Sequence, residues 1–180
     1  MAERDINSGV VTWRNNKPFP KDRYLCRCIE EKFAPSGSGN PMITRQWEIV
    51  SPETVKVGEG TMSVVGARVT QFLMTRVLDK GVEDTAKTDK AFGQLAEDYK
   101  VMGYTKSSID QDNPELIAKG KGANLIIYGK EDKQTKPLTN EQRLQGLKVG
   151  DAILDNDGKP VIKYQLQVEV NLGEAELPKF

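Results

Sequence analysis

Residues 24–50 read YLCRCIEEKFAPSGSGNPMITRQWEIV, and this stretch predicts the β-hairpin around which the rest of the chain folds. Its first ten residues are rich in aromatic and branched side chains, and its last nine alternate between apolar and polar. Ile43, Trp47 and Ile49 share the apolar parity. The eight residues between the two runs are mostly Gly, Ser, Pro and Asn, which leave strands and form turns. We therefore expect two paired strands with a flexible turn between them, at the centre of a small barrel.

The composition is that of a globular protein. The chain has 180 residues, of which 37% are hydrophobic and 29% charged, so one domain with a substantial core is expected. No apolar run approaches the roughly 20 residues that span a bilayer, and the N-terminal sequence MAERDINSG lacks the apolar segment of a signal peptide. We expect a protein of the cytoplasm, with no membrane partner.

The chain contains no histidine, which removes the commonest general base and the usual activator of Ser and Cys nucleophiles. Its two cysteines, Cys26 and Cys28, lie two apart in the first strand and so share one face, where buried and reduced thiols are expected. Two thiols without histidine also fall short of a zinc site. We therefore expect no enzyme, no metal and no cofactor.

Net charge is zero, but charge is unevenly distributed along the chain. Residues 1–80 carry 12 bases and 9 acids, and residues 119–148 carry 7 bases and 3 acids. Residues 81–118 carry 4 bases and 8 acids, and residues 149–180 carry 3 bases and 6 acids. The positive blocks contain the predicted hairpin and the fourth strand, a distribution that fits a basic groove as well as an ordinary solvated surface.

The rest of the chain alternates between predicted strands and one clear helix. Residues 89–102 place apolar side chains on one helical face, with Thr88 or Asp89 as the expected cap and Gly103 as the expected end. A second short helix is expected over residues 113–120. The other predicted strands are residues 61–74, strongly bent at glycines with Arg68 central, residues 123–130, and residues 160–171.

Residues 131–159 make a long connection between the last two predicted strands. Thr139 and Gln142 predict a capping box for one turn of helix that ends at Gly146, and Asn-Asp-Gly at residues 156–158 predicts a tight turn. A connection of this length in a compact domain is usually functional or mobile. We expect an excursion that carries its own small helix and hairpin.

The predicted order is three strands, a helix and two more strands, which is the order of the five-stranded OB-fold barrel. That barrel binds oligonucleotides with its second and third strands and with two of its loops. We therefore predict a mainly β fold with a small α component, an OB-fold barrel with a helix between strands three and four and a long loop between strands four and five. Other small barrels and half-open sandwiches share the order. The predicted divisions are an N-terminal arm or strand at residues 1–23, the OB-fold domain at residues 24–171 and a short C-terminal tail at residues 172–180.

A family resemblance rests on the spacing of several segments. They are the strand Tyr24-x-Cys26-x-Cys28-Ile29-x-x-Lys32, the Ser-Gly-Asn-Pro turn at residues 38–41, the Trp-x-Ile-Val sequence at residues 47–50, the helix that ends near Gly103, and Asn-Pro-Glu-Leu at residues 113–116 before Gly-x-Gly and a strand at Ala123. Over roughly residues 20–170 the chain resembles bacteriophage-encoded single-stranded-DNA-binding proteins of the OB-fold type.

The resemblance implies a protein that coats single-stranded DNA, whatever its sequence, during replication, recombination or repair. Lys and Arg side chains would neutralise phosphates, and aromatic rings would stack on unpaired bases at about 1–3 kcal/mol each. The candidate DNA-binding residues combine these types: Trp13, Arg14, Arg27, Arg45, Trp47, Arg68, Tyr128, Lys130 and Lys163. Such proteins often end in an acidic tail that closes on an aromatic residue and recruits replication or recombination partners. This chain ends in Phe180, but its tail GEAELPKF is short and weakly acidic.

Several of these residues have a second interpretation. Trp13 and Phe19 fit packing against the barrel as well as base stacking. Trp47 shares the parity of the apolar positions of its strand and fits the core equally well. Arg45 has the same parity, so it reaches the surface only if a bulge intervenes. Tyr164, in phase with its aliphatic neighbours, is expected in the core.

Two other functions remain open. A virion structural or decoration protein, or another interaction module on a small barrel, would form symmetric homo-oligomers and show no response to DNA. A metal-dependent nuclease would use Asp151, Asp155 and Asp157, but the turn predicted at residues 156–158 explains this cluster better, and it lacks the terminal Glu of a calcium loop.

Overall fold

The computed structural model describes residues 11–179, which fold into a mainly β structure with sheets of five, three and two strands. Neither helix of this part of the chain is long and apolar enough to cross a membrane. In chain order the elements are β1 (Val11–Thr12), β2 (Asp22–Pro35), β3 (Pro41–Ser51), β4 (Thr54–Val57), β5 (Gly60–Ser63), β6 (Arg68–Met74), β7 (Leu78–Asp79), β8 (Val82–Glu83), α1 (Thr85–Val101), β9 (Gly122–Lys133), α2 (Asn140–Leu144) and β10 (Ile162–Ala175).

The predicted hairpin is confirmed by β2 and β3, which pair antiparallel. The inward-facing side chains at alternate positions of β3 are buried, in accord with the alternation of the sequence. Gly39 closes the turn at φ 88°, a left-handed backbone that glycine adopts without strain. Cys26 and Cys28 are free and buried as expected. A bulge directly after Cys28 shifts the register, so that Glu31 also turns inward.

Strand β2 joins the two halves of the five-stranded sheet. Its first residues pair with β9 and most of its length pairs with β3, which gives the antiparallel order β10–β9–β2–β3–β6. The two edges are therefore β6 and β10. Their Cα atoms approach within 8 Å, yet no ladder joins them within residues 11–179. We call the gap between β6 and β10 the seam.

The third predicted strand, residues 61–74, is wrong in its middle. Residues 64–67 form a turn with Gly66 at φ 85°, in which Gly66 and Ala67 still hydrogen-bond to Ile49 of β3. The two ends then belong to different sheets, because β5 pairs with β4 and, in parallel, with β1, whereas β6 begins at Arg68. The predicted single strand is therefore two strands joined by a turn.

Helix α1 ends as predicted but begins a turn earlier. Gly103 adopts φ 85° directly after the C-cap. The start lies at Thr85, because the Asp84 carboxylate accepts a hydrogen bond from the amide of Lys87 and so caps the first turn. The expected caps at residues 88–89 therefore lie inside the helix.

The short helix predicted over residues 113–120 is wrong, since these residues form an irregular segment. Its backbone bonds to the hairpin rather than to itself. The amide of Gly120 donates to the carbonyl of Cys28 at 2.8 Å. The amide of Ala118 donates to the Glu31 carboxylate at 2.9 Å. These tertiary hydrogen bonds replace the helical ones.

The connection between β9 and β10, residues 134–161, contains the predicted short helix and tight turn. We call this connection the excursion. Thr139 and Gln142 form the capping box of α2. The Asp155 carboxylate accepts hydrogen bonds from the amides of Asp157 and Lys159, which holds the predicted turn. None of the residues of α2 is buried, and its half-buried Gln142 donates to the Asp151 carboxylate at 3.4 Å.

The sheet extends beyond both predicted domain boundaries. Strand β2 begins at Asp22, within the predicted arm of residues 1–23. Strand β10 continues to Ala175, within the predicted tail of residues 172–180. Its alternation ends sooner in the sequence because two register shifts interrupt its pairing with β9.

The N-terminal arm crosses one end of the seam. The amide of Trp13 donates to the carbonyl of Ser63, at the end of β5, at 2.8 Å, and the amide of Tyr164 in β10 donates to the carbonyl of Asn15 at 2.6 Å. The ring of Trp13 meets that of Phe19 edge-on, with centroids 5.3 Å apart. Packing of both rings against the sheet is therefore confirmed.

A buried polar network on the inner face of the sheet joins its two edges. Arg45, at the centre of β3, is fully buried and donates from Nε to Glu31 at 2.7 Å and from Nη1 to Asp98 of α1. The second carboxylate oxygen of Asp98 accepts from Gln71 of β6 and from Asn171 of β10, each at 3.0 Å. One carboxylate of the helix thus bonds to both edge strands.

The Arg45 guanidinium stays charged in this setting. Burial alone would lower its pKa, but attraction to Asp98 and Glu31 outweighs burial and raises it. The ring of Tyr99, 5.7 Å from the guanidinium, adds a cation–π contact. Nη2 has no hydrogen-bond partner among the described residues. The network therefore depends on the single cation that its two carboxylates share.

Two predicted DNA-binding residues belong to this interior. Arg45 and Trp47 are both 0% exposed, and Trp47 donates from Nε1 to Gln71 at 2.9 Å. Both share the inner face of β3 with Ile43 and Ile49, and the register with β6 runs uninterrupted past them. No bulge turns them outward, so their assignment to a DNA-binding surface is wrong.

We expect Arg45→Met to lower the free energy of unfolding by about 3–5 kcal/mol, because it leaves two buried carboxylates without their cation. Arg68→Met, a change of an exposed arginine on the neighbouring strand, is the matched control and should stay within about 0.5 kcal/mol of the parent protein. Urea unfolding followed by tryptophan fluorescence measures both. Equal stabilities for the two variants would contradict the role given to the network.

Burial raises the pKa of Cys26 and of Cys28 from 9.0 to about 12. Below the unfolded value the thiols are protonated in both states. Above it only the unfolded chain ionises, so we expect stability to fall as the pH rises from about 9 towards 12. Burial also raises the pKa of Tyr24 and Tyr99, which acts in the same direction.

Urea midpoints between neutral pH and about pH 10 measure this loss. A thiol reagent should label the cysteines only as fast as the protein unfolds. Labelling of the folded protein at the rate of a free thiol would show that the strand face carrying the cysteines is not buried.

Candidate functional site

The sheet face opposite the buried network is the first candidate surface, and we call it the outer face. Directly paired residues of an antiparallel sheet lie on one face, so the register identifies its side chains. Arg27, Glu48 and Arg68 form one row across β2, β3 and β6. Lys32 and Phe72 flank Thr44 in a second row.

The outer face carries an excess of positive charge. Apart from Arg68, which has Glu48 at 3.8 Å, none of its cations has a carboxylate within 4.0 Å in residues 11–179. The remaining cations are therefore free to meet an anionic ligand. The register places six cations on this face, Arg23, Arg27, Lys32, Arg68, Lys130 and Lys163, and three acids, Glu30, Glu48 and Asp132.

Five of the predicted DNA-binding residues lie on the outer face. Tyr128 lies there beside Gln167, to which its hydroxyl donates at 2.7 Å. The arm contributes Arg14, which is exposed, and Trp13, which is half-buried. Phe180 lies outside the described residues. The five on the outer face are Arg27, Arg68, Tyr128, Lys130 and Lys163.

A groove runs along the seam, with a volume of about 1050 Å³. We call it the seam groove. Its walls are the two edge strands and one side of α1, and Trp13 borders it. Gln71, Asp98 and Asn171 of the buried network also line it. The residues that line it include Arg68 and Phe72 of β6, Lys90, Gly93 and Gln94 of α1, and Gln165 and Gln167 of β10.

The groove connects two parts of the outer face that lie far apart in strand order. Arg68 belongs to the edge strand β6, and Gln165 pairs with Lys130 beside the other edge. Because the sheet curves until its edges approach, Arg68 and Gln165 line the same groove. A ligand in the seam groove can therefore touch both parts of the outer face.

Several groove residues were not predicted from the sequence. Phe72 is 57% exposed, and its even parity with Arg68 on one predicted strand was the signal that could have found it. The glutamines carry no charge and no ring, so they lack the features by which DNA-binding residues were predicted. Tyr164, expected in the core, is only half-buried and borders the groove.

The site offers binding chemistry in the form of free cations, an exposed ring and primary amides. Within the described part of the chain, no group of three or more Cys, Asp or Glu side chains is placed to hold a metal ion. No protein-family model matches the chain, and no curated protein is significantly similar to it in sequence. The function therefore has to be inferred from the positions and chemistry of these side chains.

Proposed function

We propose that the protein binds single-stranded DNA along the outer face, with little dependence on sequence and without catalysing a reaction. The observation that carries the proposal is the composition of that face, where six cations stand against three acids on one side of one sheet. Positively charged surfaces that also carry rings suit a flexible polyanion with unpaired bases.

The strand order supports an OB-fold barrel as the framework. Strands β2, β3, β6, β9 and β10 follow the order of its five strands, with α1 between the third and the fourth and the excursion between the fourth and the fifth. OB folds bind oligonucleotides on their second and third strands. In this chain those strands are β3 and β6, and β6 carries Arg68 and Phe72 on the outer face.

The cations of the outer face would supply most of the affinity. Neighbouring strands lie roughly 4.8 Å apart, so Arg27 on β2 and Arg68 on β6 stand roughly 10 Å apart across β3, near enough for one DNA strand to contact both. Each neutralised phosphate releases counterions, and the logarithm of the binding constant then falls by about 0.7 per phosphate for each tenfold rise in salt.

Exposed rings would add base contacts that do not depend on base identity. Phe72 stands 57% exposed on the same face as Arg68. Stacking on such a ring contributes about 1–3 kcal/mol per base, and every base has a face to stack. Phosphate contacts and stacking together give binding without sequence specificity.

The resemblance of the sequence to phage single-stranded-DNA-binding proteins supports a biological setting. The protein would coat single strands during DNA replication, recombination or repair in the cytoplasm of a host cell. Replication or recombination partners would be recruited through the C-terminal Phe180. Association of several copies along the strand is compatible with this role.

One observation favours a second candidate function, a protein-interaction module such as a virion structural or decoration protein. The excursion exposes Leu144 at 89% and α2 buries no residue, so the surface has no partner within the described chain. Sedimentation with and without oligonucleotide separates the two functions, because a structural protein would assemble without responding to DNA. The other exposed apolar residues of the excursion are Leu147, Val149, Ile153 and Leu154.

We expect a labelled oligo-dT to bind at low salt and to dissociate steeply as salt is added. Arg27→Ala and Lys32→Ala should each weaken binding and reduce the salt slope by about 0.7, because each removes one phosphate contact. Phe72→Ala should weaken binding by about 1–3 kcal/mol with the slope unchanged. Fluorescence anisotropy across a salt series measures all three variants.

Lys148→Ala and Leu144→Ala, both in exposed positions of the excursion, are the matched controls and should bind like the parent protein. The proposal is wrong if oligo-dT stays free at low salt and micromolar protein. Unchanged salt slopes in both cation variants would place the phosphates away from the outer face.

A further inference from the structure

Gly93 lies in the interior of α1, where no contact among the described residues requires a glycine. A glycine inside a helix costs about 0.5–1 kcal/mol relative to alanine. Its φ is not positive, and a Cβ built on Gly93 would meet no atom within 4 Å. Neither a turn nor close packing among the described residues therefore requires glycine. Gly93 faces the seam groove, where the bare helix backbone leaves open space.

The walls around this space offer the contacts that unpaired bases use. Phe72 presents an exposed ring from β6, and rings of this kind stack on bases. Gln94 of α1 and Gln165 of β10 present primary amides, which can donate to and accept from the edges of an unpaired base. Gln167 already accepts from Tyr128 through its oxygen, which leaves its amide nitrogen to donate.

The charges of the groove suit a base better than a phosphate. Its two cations, Arg68 and Lys90, are outnumbered by three acids, whereas cations outnumber acids on the outer face. The groove therefore adds little attraction for an anion. The three carboxylates that line it are each bonded to a cation: Asp98 to Arg45, Glu169 to Lys21 and Glu97 to Lys100.

We propose that the seam groove is a base-binding subsite. An unstacked base of the bound strand enters between β6 and β10, lies against the bare backbone at Gly93, stacks on Phe72 and hydrogen-bonds to the glutamine amides. At about 1050 Å³ the groove has room for such a ligand. This inference rests on the proposed binding of single-stranded DNA, with Arg68 bordering both the groove and the outer face.

The test fills the groove without touching a phosphate contact. Gly93→Leu places a side chain in open space, and it should leave thermal stability equal or higher because leucine favours the helix. Binding to oligo-dT should weaken about 5- to 150-fold, the loss of one stacked base. Binding to an abasic oligomer of the same length, which keeps the phosphates and lacks the bases, should not change.

Ala86→Leu, an exposed position on the first turn of the same helix and outside the groove, is the matched control and should bind both oligomers like the parent protein. If Gly93→Leu binds oligo-dT as tightly as the parent protein, the subsite is wrong and the proposed function stands. An equal loss on both oligomers also overturns the subsite, because bases would not be involved. A parent protein that binds neither oligomer overturns both proposals.

Discussion

The carboxylate of Asp98 joins helix α1 to the hairpin and to both edge strands of the five-stranded sheet. It accepts from Arg45 at the centre of the hairpin, from Gln71 on one edge strand and from Asn171 on the other. The edges of the sheet approach each other without pairing, and the helix that carries Asp98 takes its place between them. A charged residue at this depth is tolerated because the opposite charges and the hydrogen bonds compensate its loss of water.

The open seam follows from that arrangement, and the two candidate surfaces follow from the seam. Alternate residues of β6 face opposite sides of the sheet. Gln71 points inward to the buried network, whereas Arg68 and Phe72 lie on the outer face. The outer face carries more cations than acids, whereas the seam groove is lined by two cations and three acids and offers a ring, amides and the bare backbone of Gly93. In the function that we propose, the outer face would attract the phosphates and the seam groove, between β6, β10 and α1, would bind a base.

Local patterns in the sequence predicted the local structure well. Alternation in residues 42–50 identified the inner face of β3, and capping residues located α2 and the end of α1. Contacts between elements that are distant in sequence could not be predicted from these local patterns. Arg45 is buried against Asp98, which lies 53 residues away on a helix whose contact with the hairpin no local pattern reports. The irregular segment at residues 113–120 carries good helix signals, but its amides bond to the hairpin instead. The seam groove was not predicted because it exists only where two distant strands approach.

In the binding mode we propose, a single DNA strand lies across β2, β3 and β6 and inserts a base into the seam. Amide resonances of the labelled protein, followed by NMR during titration with a short oligo-dT, report whether this mode occurs. We expect shifts on those three strands and at Gly93, Gln94 and Gln165, with α2 unaffected. Shifts confined to the excursion, or no shifts at all, would contradict it.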